Sequence, residues 1–306
     1  TFGWDKGNMT CRIHGRELFD LCAGYKQLCT FRGSEESSYS LANVLKKYFG
    51  IVKPDFHGKF RALLKDDPVE LVRYNREIDV RVMVLVERKF RVLDTFEEIA
   101  RVYRCQLEDC FGISNLIDFG LLRMLDKEHM VPLTRGSRPE EAPAEGPTNI
   151  LPVPGVHEGA ITVDFHALYV AIMRSFNMDQ TTIIRPGERR PLNAPFVEVG
   201  NGYAFKLYPR GLIPRFLDET MEKRDKYEKL RDLELAEPEG QRDKEALWTY
   251  ITRRWIYKTV GNATYGQTLW ARSRWYCPEI GKCILYLARL LLGVVMTELQ
   301  EEYGKP

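Results

Sequence analysis

Asp164 closes a short β-branched run, Ile161-Thr162-Val163, and a second apolar run, Leu168 to Met173, begins four residues later. The first run has the composition of a strand and the second is long enough for a helix. A carboxylate at the carboxyl end of a buried strand is costly unless something compensates it. A hydrated Mg²⁺ is one such partner, and the role of cap to the next helix is another. Further along, Lys258, Asn262 and Tyr265 stand at helical spacing in Lys258-Thr-Val-Gly-Asn-Ala-Thr-Tyr-Gly266, with Lys258 and Asn262 on one face. From Arg253 to Arg289 the charges are Arg253, Arg254, Lys258, Arg272, Arg274, Lys282 and Arg289 against Glu279 alone. Such a local excess of positive charge is what phosphate contacts require.

The two stretches together resemble motifs A and B of the family B, replicative-type DNA polymerases. Motif A there reads Asp-Phe-x-Ser-Leu-Tyr-Pro-Ser-Ile-Ile. Asp164, Phe165, Leu168, Tyr169 and Ile172 match it, and Ala167, Val170, Ala171 and Met173 depart from it. Motif B reads Lys-x-x-x-Asn-Ser-x-Tyr-Gly, matched by Lys258, Asn262, Tyr265 and Gly266 with Ala263 as the departure. The run Ala271 to Cys277 is similar to the archaeal and viral members.

The resemblance implies a site for nucleotidyl transfer to a primer on template DNA, with two Mg²⁺ ions carrying charge. Asp164 and the carbonyl of Phe165 are the implied metal ligands. Tyr169 is the implied steric gate against a ribose 2′-hydroxyl. The amides near Ala167 and Leu168 open a helix where a triphosphate can sit. Lys258, Asn262 and Arg224 are the implied β- and γ-phosphate contacts, with Lys258 helping to protonate the leaving pyrophosphate. Tyr265 and Gly266 would meet the nascent base pair. The family's second basic residue on the Arg224 helix falls at Glu228.

The elements that must position these groups follow in order. Residues 1–92 are expected to be α/β, with a strand at Met9–Ile13. Helices are expected at Ser38–Gly50, with a serine cap and a terminal glycine, and at about Pro68–Phe90. The resemblance makes this the carboxyl-terminal part of a 3′–5′ exonuclease domain of ribonuclease-H-like fold. Asp79 falls on the aspartate of its Tyr-x-x-x-Asp motif, but Asn75 stands four residues earlier and Tyr74 is one position too far. The first two exonuclease motifs have no match, so little exonuclease activity is expected. Residues 93–136 form a helical connector, with helices at Phe96–Tyr103 and Asn115–Leu125. The stretch 135–148 is rich in Pro, Gly and charge and is expected as a linker. Its Glu145-Gly-Pro-Thr is a poor match to the family's template-sensing Tyr-x-Gly-Gly.

An α+β palm is expected over 137–209, with strands at Thr181–Ile184, Phe196–Val199 and Tyr203–Leu207. A two-helix fingers hairpin is expected over 210–268, from Leu212 and from about Gln241. A second palm segment is expected over 269–306. The fold class is therefore α/β. The family's third motif, with Asp-Thr-Asp carboxylates, has no counterpart before Pro306.

The 306 residues are 44% hydrophobic and 29% charged, with a formal net charge of +2. That is enough for packed cores and argues against a low-complexity chain. Seven scattered cysteines, without a Cys-x-x-Cys pair, fit reduced thiols rather than zinc ligands. The apolar stretch Ile284–Met296 is interrupted by Arg289 and is expected as a core helix, with no membrane span and no signal peptide at the start. A cytoplasmic, nucleoid-associated protein of an archaeal, bacterial or virus-infected cell is expected. Three readings of function follow. One is the core part of a split polymerase, acting on primer-template DNA and dNTP and completed by a second polypeptide with the third motif and thumb. Another is a degenerate polymerase serving as a nucleic-acid-binding scaffold. The third is a stretch of a single-chain enzyme.

Overall fold

The computed structural model describes residues 15–53, 60–132, 134 and 154–304, with the backbone of two strands before them. The chain divides into two compact units, Thr1–Phe111 and Gly112–Pro306.

In the first unit, β1 (Phe2–Asp5) and β2 (Asn8–Cys11) form an antiparallel hairpin with Phe2 opposite Cys11. Helix α1 (Leu21–Arg32) starts at Asp20, whose carboxylate accepts from the amides of Cys22 and Ala23. Helix α2 (Leu41–Phe49) starts at Ser40, whose hydroxyl accepts from the Asn43 amide, and ends at Gly50 in the left-handed conformation (φ 66°). Its Val44 and Leu45 are buried, as the sequence periodicity requires. After α3 (Phe60–Asp66), the expected long helix is interrupted. It consists of α4 (Pro68–Tyr74), a π-helical turn at Asn75–Val80, and α5 (Arg81–Phe90). Helix α6 (Val92–Tyr103) buries Phe96 completely, its ring against Phe19 at 5.1 Å and Phe111 at 4.7 Å. The described part of this unit is thus mostly helical, beside the one hairpin.

The second unit opens with α7 (Ile113–Lys127). Helix α8 (Leu168–Ser175) follows, then a three-stranded antiparallel sheet of order β3 (Ile183–Ile184), β5 (Tyr203–Lys206), β4 (Phe196–Gly200). Helices α9 (Leu212–Ala236) and α10 (Lys244–Leu269) form the expected antiparallel hairpin, and α11 (Pro278–Tyr303) follows. Helix α10 begins later than expected because Asp243 caps it, accepting from the amides of Glu245 and Ala246.

Two buried polar residues fix the geometry between α8 and α9. The Asn177 amide group donates to the carbonyls of Lys206 and Pro209, and its Oδ1 accepts from the Gly211 amide. Asp179 accepts from the amides of Thr181 and Ile213. One carboxylate thereby ties the loop before β3 to the first turn of α9, satisfying an amide that the helix cannot satisfy itself. Helix α8 packs on α9, α10 and α11, with Ile172, Met173, Leu217, Ile256, Val260 and Ile284 in the core.

Two expectations are corrected. Ile161–Val163 is not a strand: the segment is irregular, with Ile161 84% and Val163 61% exposed. A strand needs a neighbour to take its amides and carbonyls, and among the described residues none pairs with this one. Helix α11, for its part, is long and apolar enough to cross a membrane by length and composition, with a mean hydropathy of 1.7 over its best window. One arginine is too little to offset that average. One face of its first half is buried, from Pro278 to Ala288, with Lys282 and Tyr286 exposed, whereas Leu290, Val294 and Tyr303 in the second half are exposed. The stretch 135–148, Glu145 included, lies outside the described residues.

Candidate active site

Helix α8 is entered through Ala167, which stands in the left-handed conformation (φ 54°) that a residue with a Cβ seldom adopts. No side chain accepts from the first amides of the helix. Asp164 therefore does not serve as the helix cap; it lies on the exposed segment just before, with His166 also exposed and Phe165 half-buried. Leu168 and Tyr169 form the half-buried first turn.

Lys258, Asn262 and Gly266 recur every four residues along α10, and all three are exposed. A Cβ at Gly266 would meet nothing within 4 Å, so the surface in front of it is open. The opposite face of α10 is buried, with Ile256, Val260 and Thr264 in the core. Gly261 faces the methyls of Thr220 and Val170, which brings α10 close to both α9 and α8. Tyr265 lies at the edge of the exposed stripe. Its ring meets that of Tyr169 at 4.6 Å between centroids and 30° between planes. Burial pushes the Tyr265 hydroxyl up to about 12; Tyr169 adds to that and the charge of Arg289 opposes it. The two sequence motifs, nearly a hundred residues apart in the chain, thus meet through their tyrosines.

Arg224 is buried on α9 and engaged. Its guanidinium contacts Nε2 of His166 and donates to Asp225 at 3.1 Å. Arginine only donates, so in this contact Nε2 is the accepting side. Glu228, one turn on, accepts from Arg254 of α10 at 2.6 and 2.8 Å and lies 4.0 Å from Arg224. Beyond this, Arg253 donates to the Tyr227 hydroxyl, and the Tyr227 and Tyr257 rings stack at 6.0 Å. The α9–α10 hairpin is therefore held by aromatic and charged pairs, and Lys258 lies at its surface.

Not all of the basic run from Arg253 to Arg289 faces outward. Arg274 pairs with Asp118 of α7 at 3.1 Å, and Asp118 also accepts from the Trp275 indole at 3.0 Å. Gln267 donates to Ser114 and accepts from Ser273. The segment Ala271–Cys277 is thus bolted to α7. Spacing offered no signal for this, because Asp118 and Arg274 are remote in sequence.

The expected pair of Mg²⁺ ions does not fit the described residues by themselves. Asp164 is the one carboxylate in the Ile161–Met173 segment, and among the described residues no group of three His, Cys, Asp or Glu is placed to hold a metal. A pair of divalent ions needs more oxygen ligands than this.

At the position expected to correspond to the exonuclease aspartate, Asp79 is paired with Lys53 at 2.7 Å, and the same ammonium lies over the Tyr74 ring at 5.7 Å. In sequence Tyr74 is one residue too distant from Asp79 to share an α-helical face. The π-helical turn Asn75–Val80 between them takes up the extra residue, because its hydrogen bonds span five residues rather than four. Tyr74 and Asp79 consequently reach one lysine.

The chain resembles known proteins in sequence and in fold. The family model "DNA polymerase family B" matches residues 108–305, more than half of the chain. The chain is 27% identical over 301 residues to the DNA polymerase of a Thermococcus species, covering 95% of this chain and 36% of that protein. It is 29% identical to DNA polymerase 1 of Pyrococcus abyssi, covering 96% and 37%, and 26% identical to DNA polymerase 2 of Aeropyrum pernix, covering 77% and 29%. The chain therefore spans about a third of the length of these relatives. The family B DNA polymerase of Pyrobaculum calidifontis shares the fold, with a TM-score of 0.67 at 23% identity over 87% of this chain and 34% of that one. By its matched segment, its two motifs and its fold, the chain belongs to DNA polymerase family B.

Proposed function

We propose that the chain forms the nucleotide-binding wall of a DNA-directed DNA polymerase, taking dNTP and primer-template DNA as substrates. The observation that carries this reading is the contact between Tyr169 and Tyr265, which joins the two motif segments at the foot of the exposed Lys258–Asn262 stripe. On this reading Lys258 and Asn262 bind phosphate oxygens, and the open first amides of α8 extend that anionic seat. Tyr169 is wedged against Tyr265 and excludes a ribose 2′-hydroxyl by bulk. Tyr265 and Gly266 present a flat, open surface to the base pair. Lys258 also protonates the leaving pyrophosphate. Arg224 is turned toward His166 and holds the segment after Asp164 against α9. Magnesium would supply charge neutralisation at the transferring phosphate. Asp164 and the Phe165 carbonyl would be this chain's share of its ligands, and the other carboxylates would have to come from outside the described residues.

The proposed carrier of those carboxylates is a second polypeptide with the third motif and thumb. The exposed apolar second half of α11, with Leu290, Val294 and Tyr303, supports a covering partner there.

Single-nucleotide extension of a primed template by the assembled complex tests this reading. Lys258→Ala should lower the efficiency of incorporation about ten- to a hundredfold, as for loss of a charge-assisted contact. No extension by the unmutated complex would favour the scaffold reading instead.

A further inference from the structure

Arg224, Glu228 and Arg231 form one stripe on α9, and Glu228 lies among guanidinium groups from both helices of the hairpin. Its Oε1 accepts from Arg254 and lies 3.5 Å from Arg231, while its Oε2 faces Arg224 at 4.0 Å. Arg254, Lys258 and Asn262 occupy successive turns of α10, so the arginine that Glu228 holds stands one turn from Lys258, which is exposed. A carboxylate and a phosphate compete for guanidinium groups through the same two-oxygen geometry. Arg224 and Arg231 have neighbouring partners of their own in Asp225 and Asp232. Among the described residues, Arg254 pairs with Glu228 across the hairpin.

We propose that Glu228 is an internal stand-in for phosphate: it holds Arg254 while no nucleotide is bound, and it competes with a nucleotide's triphosphate for the basic face of the hairpin. This rests on the polymerase reading and goes beyond it, making Glu228 a positioning residue that sets nucleotide affinity. Burial alone would raise its carboxyl, but the hydrogen bond from Arg254 and the charges of Arg254, Arg224 and Arg231 outweigh that and hold it below the usual range. The group is accordingly anionic at neutral pH. An incoming triphosphate must overcome its charge and take over its arginine.

The test is calorimetric titration of the full chain at neutral pH and low salt with inorganic tripolyphosphate and with dATP. Glu228→Gln should bind both about three- to tenfold more tightly than the unmutated chain. Arg254→Ala should bind both more weakly. Glu239→Gln removes the same charge in the turn of the hairpin and should shift affinity by less than twofold. A purely structural salt bridge makes a different forecast. Glu228→Gln and Arg254→Ala would then lower the unfolding temperature alike and move the affinities alike, and that result overturns the proposal. Unchanged affinity in Glu228→Gln, with weakened binding in Lys258→Ala, overturns the proposal but leaves the nucleotide site standing. Absence of binding by the unmutated chain and every variant overturns both.

Discussion

Tyr169, in the first turn of α8, packs its ring against Tyr265 of α10 with centroids 4.6 Å apart, and this contact helps to link the two motif segments. Aromatic pairs of this geometry contribute about 0.5–1.5 kcal/mol beyond the area they bury. A double-mutant cycle of Tyr169→Ala and Tyr265→Ala, read by urea unfolding, should give a coupling energy of about that size. In the assembled polymerase, Tyr169→Ala should relax discrimination against ribonucleotides by at least about tenfold. Its effect on deoxynucleotide incorporation should be smaller. Equal losses for both sugars would remove the gate role from this residue.

Asp118 bears the contacts that hold the Ala271–Cys277 segment. Asp118→Ala strips the acceptor from Arg274 and from the Trp275 indole in a mostly buried place. The expected cost is about 2–4 kcal/mol, because a part-buried charge and a buried donor are left behind. Urea unfolding followed by tryptophan fluorescence would measure it. Asp118→Asn keeps one acceptor and should cost less.

The motifs were readable because Asp164, Tyr169, Lys258, Asn262 and Tyr265 are local patterns with fixed spacing. The caps of α2 were local as well: Ser40 and Gly50 act within a few residues of their own positions. What escaped the sequence was non-local or contextual. Ile161–Val163 has strand composition, yet a strand exists only beside a partner. The π-helical turn Asn75–Val80, through which Tyr74 and Asp79 reach one lysine, has no signature in the spacing. Glu228 looked like a lost basic residue, and its pairing with Arg254 depends on how two helices meet.

The cysteines should separate by exposure. Burial pushes the thiols of Cys277 and Cys283 up to about 12, whereas Cys22 is exposed. Iodoacetamide at pH 8 should label Cys22 and leave Cys277 and Cys283 unmodified until the protein unfolds, as read by peptide mass mapping. The fold favours the protonated form of both buried thiols. Their contribution to stability is therefore intact below the unfolded thiol pKa of about 8.5 and is lost as the pH rises toward 12. Rapid labelling of Cys283 in the native protein would contradict their burial.

The ion pair of Lys53 with Asp79 sets the ammonium where a divalent cation would otherwise approach that carboxylate. The chain should show no Mg²⁺-dependent degradation of single-stranded DNA, and Lys53→Ala should not create it, since one carboxylate cannot hold two ions. Degradation by the chain that disappears in Asp79→Ala would show a working exonuclease site.

The most direct measurement is single-nucleotide primer extension by the assembled complex with Asp164→Ala, set beside the affinity of the same complex for primed DNA. Duplex affinity arises from many phosphate contacts, whereas a carboxylate at the reacting centre matters for charge that develops only in the transition state. The expected result is extension reduced to background, with DNA binding within about twofold of the unmutated complex. Extension at an unchanged rate would contradict the assignment of Asp164, and with it the claim that this surface is the polymerase site.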